Sequence, residues 1–178
     1  MTTPTAVPGM LLCVCAAMLA SPTLSAGQAS AAPGEHIEVV HHPNFDKTVN
    51  MPFPPAIKIK SGKILWLAGT TALPVYHDHP HKRDQIQQFM TGNLEEQTKR
   101  TMDGIKQTLE ASGASFKDVV HVFVFRTRPR MGDIGVAALI INSYFKPFNH
   151  IPTSTNMAVL ELGEPEQLIE IQMVAVVD

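Results

Sequence analysis

The hydrophobic positions of this chain fall into short runs with two different periods. From Ile151 to Asp178 the order IPTSTNMAVLELGEPEQLIEIQMVAVVD predicts two strands joined by a short turn. Leu168, Ile169, Ile171, Met173, Val174, Val176 and Val177 make a nearly continuous β-favouring run, broken only by Glu170, Gln172 and Ala175. A carboxylate in such a run calls for a reason, because burying an unpaired charge is costly.

Upstream, the alternation His36–His41 predicts a first strand, and the proline-rich PFPPA at 52–56 turns the chain. Ile57–Lys60, Ser61-Gly62 and Lys63–Ala68 predict strand, tight turn and strand, with Gly69 ending the hairpin. Periodicity then disappears from Thr70 to Gly92, and a loop of that length inside a compact domain is usually functional. Asn93 and Glu96 have capping-box spacing. They open a helix predicted to about Ser112, with Leu94, Thr98, Met102, Ile105 and Leu109 inward and Gly113 as terminator. Val119–Thr127 is the strongest strand signal, with Val120, Val122 and Val124 on one face and His121, Phe123 and Phe125 on the other. A second helix is predicted over Asp133–Phe145 and stopped by Pro147. The resulting order, β-β-β-α-β-α-β-β, predicts an α+β architecture with two helices on one face of a mainly antiparallel sheet.

Composition narrows the function. The 178 residues are 44% hydrophobic and 17% charged, enough for one domain, and the net charge of -2 gives no electrostatic basis for binding nucleic acid or an anionic membrane. Cys13 and Cys15 lie inside the apolar run Met10–Ala20, so they do not form a disulfide framework. That run is too short to span a bilayer but matches the apolar core of a secretory signal peptide, with small residues at Ser25-Ala26 and 29–32 behind it. Against this, Met1–Gly9 carries no Lys or Arg. The expectation is a signal peptide over 1–32, an N-terminal segment with the first strand over 33–50, and the domain proper over 51–178. The mature protein would be periplasmic or secreted, without membrane association after cleavage. An unprocessed cytoplasmic tail is the alternative.

Seven stretches, in order, resemble the RidA/YjgF superfamily: Gly62–Gly69, Glu95–Thr98, Gly113–Val120, Val124–Thr127, Tyr144-Phe145, Pro152–Thr155 and Leu168–Val176. The resemblance implies a chorismate-mutase-like fold and a barrel-forming homotrimer with clefts between subunits. It also implies hydrolysis of a small enamine or imine to a carbonyl compound and ammonia, with no metal or organic cofactor. Glu170 falls where the superfamily's strand glutamate positions or activates water. The Arg that clamps a substrate carboxylate is replaced by Ser154, a Tyr after the early proline by Pro55, and an Asn of the second helix by Ala138. A hydroxyl does not substitute for a guanidinium as a monoanion clamp, so simple 2-imino acids are poor candidates.

The candidate site is therefore Glu170 as the catalytic group, with Thr153, Ser154, Thr155, Gly69, His77 and His79 as substrate-binding residues. For Glu170 the alternative is a hydrogen-bonded residue lining the barrel, and for the hydroxyls it is local bonding to the strand backbone. His77, His79 and His81 recur at i, i+2 and i+4 beside Asp78. Extended chain would set all three imidazoles on one face, which is one way to assemble a Zn or Cu site. Because the superfamily needs no metal, no metal ligand is assigned; one of these histidines is expected over the cleft mouth, in substrate recognition or proton transfer, and a solvent-exposed loop is the alternative. Arg126, Arg128 and Arg130 supply the missing positive charge or form a solvated loop, and His121 is expected to be packed and hydrogen-bonded. Losing three cleft groups also fits a non-catalytic small-ligand-binding or chaperone-like trimer, or a different reaction such as tautomerisation or ring-opening hydrolysis.

Overall fold

The computed structural model describes Met1 and residues 36–43, 46, 48, 52–127 and 133–178. The chain divides into two units, Met1–Ser30 and Ala31–Asp178. Apart from Met1, the segment expected to be a signal peptide, with both cysteines, lies outside the described residues.

In the second unit the elements run β1 (Ile37–Val40), β2 (Ala56–Ile59), β3 (Lys63–Trp66), α1 (Arg83–Phe89), α2 (Leu94–Ala111), β4 (Val119–Thr127), α3 (Asp133–Phe145), β5 (Thr153–Val159) and β6 (Ile169–Val177). They form the expected α+β arrangement, with one addition. α1 lies inside the segment expected to be loop, because its seven residues are too few for a helical period to show. Its Ile86, with Leu73 and Met90, forms a small core of its own.

Two strand pairings differ from the sequence reading. Ser61-Gly62 does not close a hairpin. β2 pairs antiparallel with β1, while β3 pairs antiparallel with β6, so the turn hands the chain from a two-stranded sheet to a four-stranded one. Gly62 is required there, since its φ is +89° and a Cβ would lie 2.6 Å from the Val177 carbonyl oxygen. Nor are β5 and β6 partners. The order is β3-β6-β4-β5, with β4 between them, antiparallel to β6 and parallel to β5, so the sheet is mixed.

One face of this sheet carries α2 and α3 over a core that includes Met102, Ile105, Leu109, Val122, Val124, Phe145, Ile171 and Met173. Asn93 caps α2 as its sequence predicts: its Oδ1 accepts from the Glu96 amide at 3.0 Å, and Glu96 accepts from the Asn93 amide at 3.1 Å. The opposite face is covered only in part, where β1 and β2 set Ile37 and Ile57 against Val120, Val174 and Val176. Val120 belongs to this second face because a bulge between Val119 and His121 reverses the alternation at the start of β4. Elsewhere on that face Phe123, Phe125, Glu170 and Gln172 are half-buried, and Ile64 and Trp66 on β3 are exposed.

Candidate functional site

Glu170 stands on the helix-free face. Its neighbours in β6, Ile169 and Ile171, point into the core, and alternation turns Glu170 the other way, opposite Phe125 of β4. Beyond β3 the chain bulges. Leu67 donates its amide to Met173 and Thr70 donates to Ile171, so three steps on one side match two on the other. Gly69 lies in this bulge, and the Glu170 carboxylate rests against it so closely that a Cβ on Gly69 would meet Glu170 Oε1 at 2.0 Å. The other carboxylate oxygen accepts from Gln167 Nε2 at 3.1 Å. Glu170 is thus held by one side-chain bond and one close backbone approach. The sequence identified Glu170 and Gly69 separately; the structure brings them together and adds Gln167, for which no sequence signal existed.

The three β5 hydroxyl residues do not share one environment. Parallel register with β4 places Thr153 beside His121, Ser154 beside Val122 and Thr155 beside Phe123. Thr153 and Thr155 therefore face the same side as Glu170, while Ser154 faces the helices. On the open side, the Thr153 hydroxyl donates to the Val120 carbonyl at 2.8 Å and accepts from His121 Nδ1 at 2.6 Å. This bond fixes the tautomer of His121, leaving its Nε2 as acceptor for Thr155 at 3.4 Å. Burial pushes the His121 pKa down, in keeping with a neutral ring. On the helix side, Ser154 lines a cavity of about 210 Å³ together with Asn156, Ala138, Asn142, Pro52 and Phe53. Two of the positions where the superfamily's polar groups are replaced, Ser154 and Ala138, therefore meet in one pocket.

The histidine loop is anchored on the connection between β5 and β6. His81 Nδ1 bonds Glu164 Oε1 at 2.7 Å, and Arg83 pairs with Glu166 at 2.5 and 3.3 Å. That guanidinium holds the Glu166 carboxyl below its ordinary pKa. The connection itself is fixed from below by Gln97, a fully buried residue of α2. Its amide donates to the carbonyls of Met90 at 2.7 Å and Glu166 at 2.8 Å, and its oxygen accepts from the Leu168 amide at 2.9 Å. Gln97 falls at a buried helical position between Leu94 and Thr98, which was the available signal for it. His77, His79 and His81 converge through bends rather than along an extended strand, and the His79–Pro80 peptide is cis. The structure brings them close to one another, and among the described residues none of them hydrogen-bonds Glu170.

Arg126 is only 4% exposed and lies on the helix side, in register with Ala158 and Ile169. It thus faces the same side as Ser154 but does not line that cavity, and its Nε is buried without a hydrogen-bond partner among the described residues. Arg128 and Arg130 fall outside the described residues. A larger cavity of about 560 Å³ lies between α2 and α3, bordered by Lys99, Asp103, Phe116 and Tyr144, and contains none of the sequence-predicted site residues. Burial there, with a 2.7 Å bond to Asp103, raises the Tyr144 phenol pKa. No helix among the described residues is long and apolar enough to cross a membrane.

Comparison with known proteins agrees with this architecture. The family model described as Endoribonuclease L-PSP matches residues 48–177. The protein DfrA of Myxococcus xanthus is 25% identical over 139 residues, which is 78% of this chain and 95% of DfrA. A RutC family protein of Pyrococcus abyssi is 34% identical over 74 residues, covering 42% of this chain and 50% of that protein. Among solved structures, the Rid family protein YyfB of Yersinia pestis superposes with a TM-score of 0.59 at 23% identity, over 80% of this chain and 99% of YyfB. The chain therefore belongs to the Endoribonuclease L-PSP family, the RidA/YjgF superfamily whose motifs its sequence carries.

Proposed function

We propose that this protein is a cofactor-independent hydrolase of a small enamine or imine, working as a homotrimer with its reaction site between subunits. The observation that carries the reading is Glu170: a carboxylate emerging from an apolar strand onto the uncovered sheet face, held by Gln167 and seated against Gly69. In the reaction, Glu170 takes a proton from water as the oxygen adds to the C=N carbon. It passes that proton to nitrogen to complete the carbinolamine, then takes the hydroxyl proton and delivers it to nitrogen as the C–N bond breaks, leaving a carbonyl compound and ammonia.

Glu170 and Ser154 face opposite sides of one sheet, so a single chain cannot present both to one small ligand. A neighbouring copy docked on the open face, where Ile64 is 53% and Trp66 64% exposed, would bring its own Ser154 side into reach. The Ser154 pocket offers the amides of Asn142 and Asn156 and one hydroxyl in place of a guanidinium, which favours a neutral substrate over a 2-imino acid anion. Despite the family description, a net charge of -2 gives no support to cutting RNA, which requires a surface that tracks phosphates. The chain's apolar N-terminal run supports an exported, periplasmic or secreted location.

The test is ammonia release from imines generated in situ from neutral amines, with Glu170→Gln as the comparison. The variant should lose about 10²- to 10⁴-fold in rate, the usual contribution of a general base. Equal rates in the two proteins would end the hydrolase reading. The pairing of Ser154 with Ala138 favours a second reading, a non-catalytic trimer that binds small ligands. Thermal shifts with candidate ligands but no turnover would select it.

A further inference from the structure

The three rings of the histidine loop form a cluster that the proposed hydrolysis does not use. Their centroids are 4.6 Å apart for His77 and His79, 4.9 Å for His77 and His81, and 4.7 Å for His79 and His81. One ring nitrogen from each lies within 4.8 Å of the other two. Outer hydrogen bonds fix the tautomer of two of them. His77 Nδ1 is 2.7 Å from the Pro74 carbonyl oxygen, which can only accept, so this nitrogen carries the proton. His81 Nδ1 likewise donates to the Glu164 carboxylate at 2.7 Å. With Nδ1 carrying the proton, the unprotonated form of each ring turns the lone pair of its Nε2 inward, and the two Nε2 atoms are 3.1 Å apart. Two lone pairs at that distance repel one another unless a proton or a metal ion lies between them. An outer Nδ1–H bonded to a carbonyl or carboxylate, with Nε2 free on the inside, is how proteins orient metal-binding imidazoles.

We propose that His77, His79 and His81 form a binding site for a first-row divalent cation of the zinc class, with Glu164 as the positioning residue for His81. Zinc–nitrogen bonds of about 2.0–2.1 Å in a tetrahedral site space the nitrogens about 3.4 Å apart. The 3.1 Å Nε2 pair is already close to that spacing, and rotation of the exposed His79 ring closes the rest. Asp78 is engaged by Lys82 at 2.7 Å, so the fourth position opens to solvent and falls to water. An all-imidazole donor set selects zinc, copper or nickel over magnesium or calcium, which prefer oxygen. The frame is built: Leu73, Ile86 and Met90 pack beneath the loop, and Gln97 holds the connection that carries Glu164. The site stands independently of Glu170, and metal binding is read without any assay of hydrolysis.

The experiment strips the full-length chain with a chelator and titrates it with Zn²⁺ alone against a chromogenic competitor. A parallel titration with Co²⁺ follows the visible bands of tetrahedral coordination. One equivalent is expected, with tetrahedral bands and a Zn²⁺-dependent rise in the thermal midpoint. His79→Ala removes an exposed ring, leaves the fold intact and should weaken binding about 100-fold or more, beyond the usual effect of an outer partner. Glu164→Ala should weaken it about 10- to 100-fold, and Glu164→Gln, which still accepts from Nδ1–H, should recover most of that loss. A double variant at the separate pair, His41→Ala with His42→Ala, should bind as the parent does. Binding undiminished in His79→Ala, or octahedral rather than tetrahedral Co²⁺ bands, overturns the assignment.

Discussion

Replacing Gly69 by alanine should displace the Glu170 carboxylate, and the cost should vanish once that carboxylate is gone. The added Cβ would stand 2.0 Å from Oε1, 3.0 Å from Cδ and 3.4 Å from Cγ of Glu170. All three atoms belong to a flexible side chain, so the side chain moves and the backbone stays. Moving it breaks the 3.1 Å bond from Gln167, worth ~1 kcal/mol for a half-buried carboxylate after solvent screening. Forcing the side chain off its rotamer adds roughly 0.5–1.5 kcal/mol. Against this, alanine restricts the unfolded chain and returns about 0.4–1 kcal/mol. Gly69→Ala should therefore destabilise the parent protein by about 1 kcal/mol. In a Glu170→Ala background it should be neutral or stabilising, a coupling of about 1–2 kcal/mol. The assay is urea unfolding of the four proteins of the cycle at one fixed protomer concentration, since assembly shifts apparent stability. Thermal midpoints give a second reading at about 2–4 °C per kcal/mol for a chain of this size. If the two substitutions add within about 0.5 kcal/mol, the carboxylate does not rest on Gly69 and the geometry drawn for the site is wrong.

Two further outcomes test the surrounding frame. Gln97→Ala strands the Met90 and Glu166 carbonyls and the Leu168 amide, and should cost about 2–4 kcal/mol in denaturant unfolding; a loss below about 1 kcal/mol would show that the β5–β6 connection is held by other means. For His121, the folded pKa is depressed by burial, so the unfolded state binds the extra proton. Its contribution to stability is full above the unfolded value of about 6.5 and is lost as pH falls through the lower folded pKa. The thermal midpoint of the parent should drop more steeply than that of His121→Gln as pH is lowered below about 6.5, and identical slopes would remove His121 from the account.

Features encoded within a few residues could be read before the fold was known. The β6 run, the capping box at Asn93 and Glu96, and the extent of α3 depend on local pattern, and each lies where the pattern places it. Ser61-Gly62 is a true turn signal, but a turn does not say which strand its flanks will pair with, and these flanks go to different sheets. The separation of β5 from β6 depends on β4 inserting between them, a pairing between residues far apart in sequence. The site divides in the same way. Glu170 was visible as a charge out of place, whereas its partner Gln167 is set by the bend of a loop. The side taken by Ser154 follows from its register with Val122, which no spacing within β5 reveals.

The strand order β3-β6-β4-β5 has a consequence for the free chain. β3 and β5 form the two ends of the sheet, each with one row of main-chain amides and carbonyls lacking a strand partner among the described residues. A solitary copy therefore exposes two templates for strand addition, next to an uncovered apolar surface. In the trimer proposed above, copies seated on the open face would cover the apolar surface beside these edges, and dilution below the assembly threshold should then make the protein more prone to precipitate on warming.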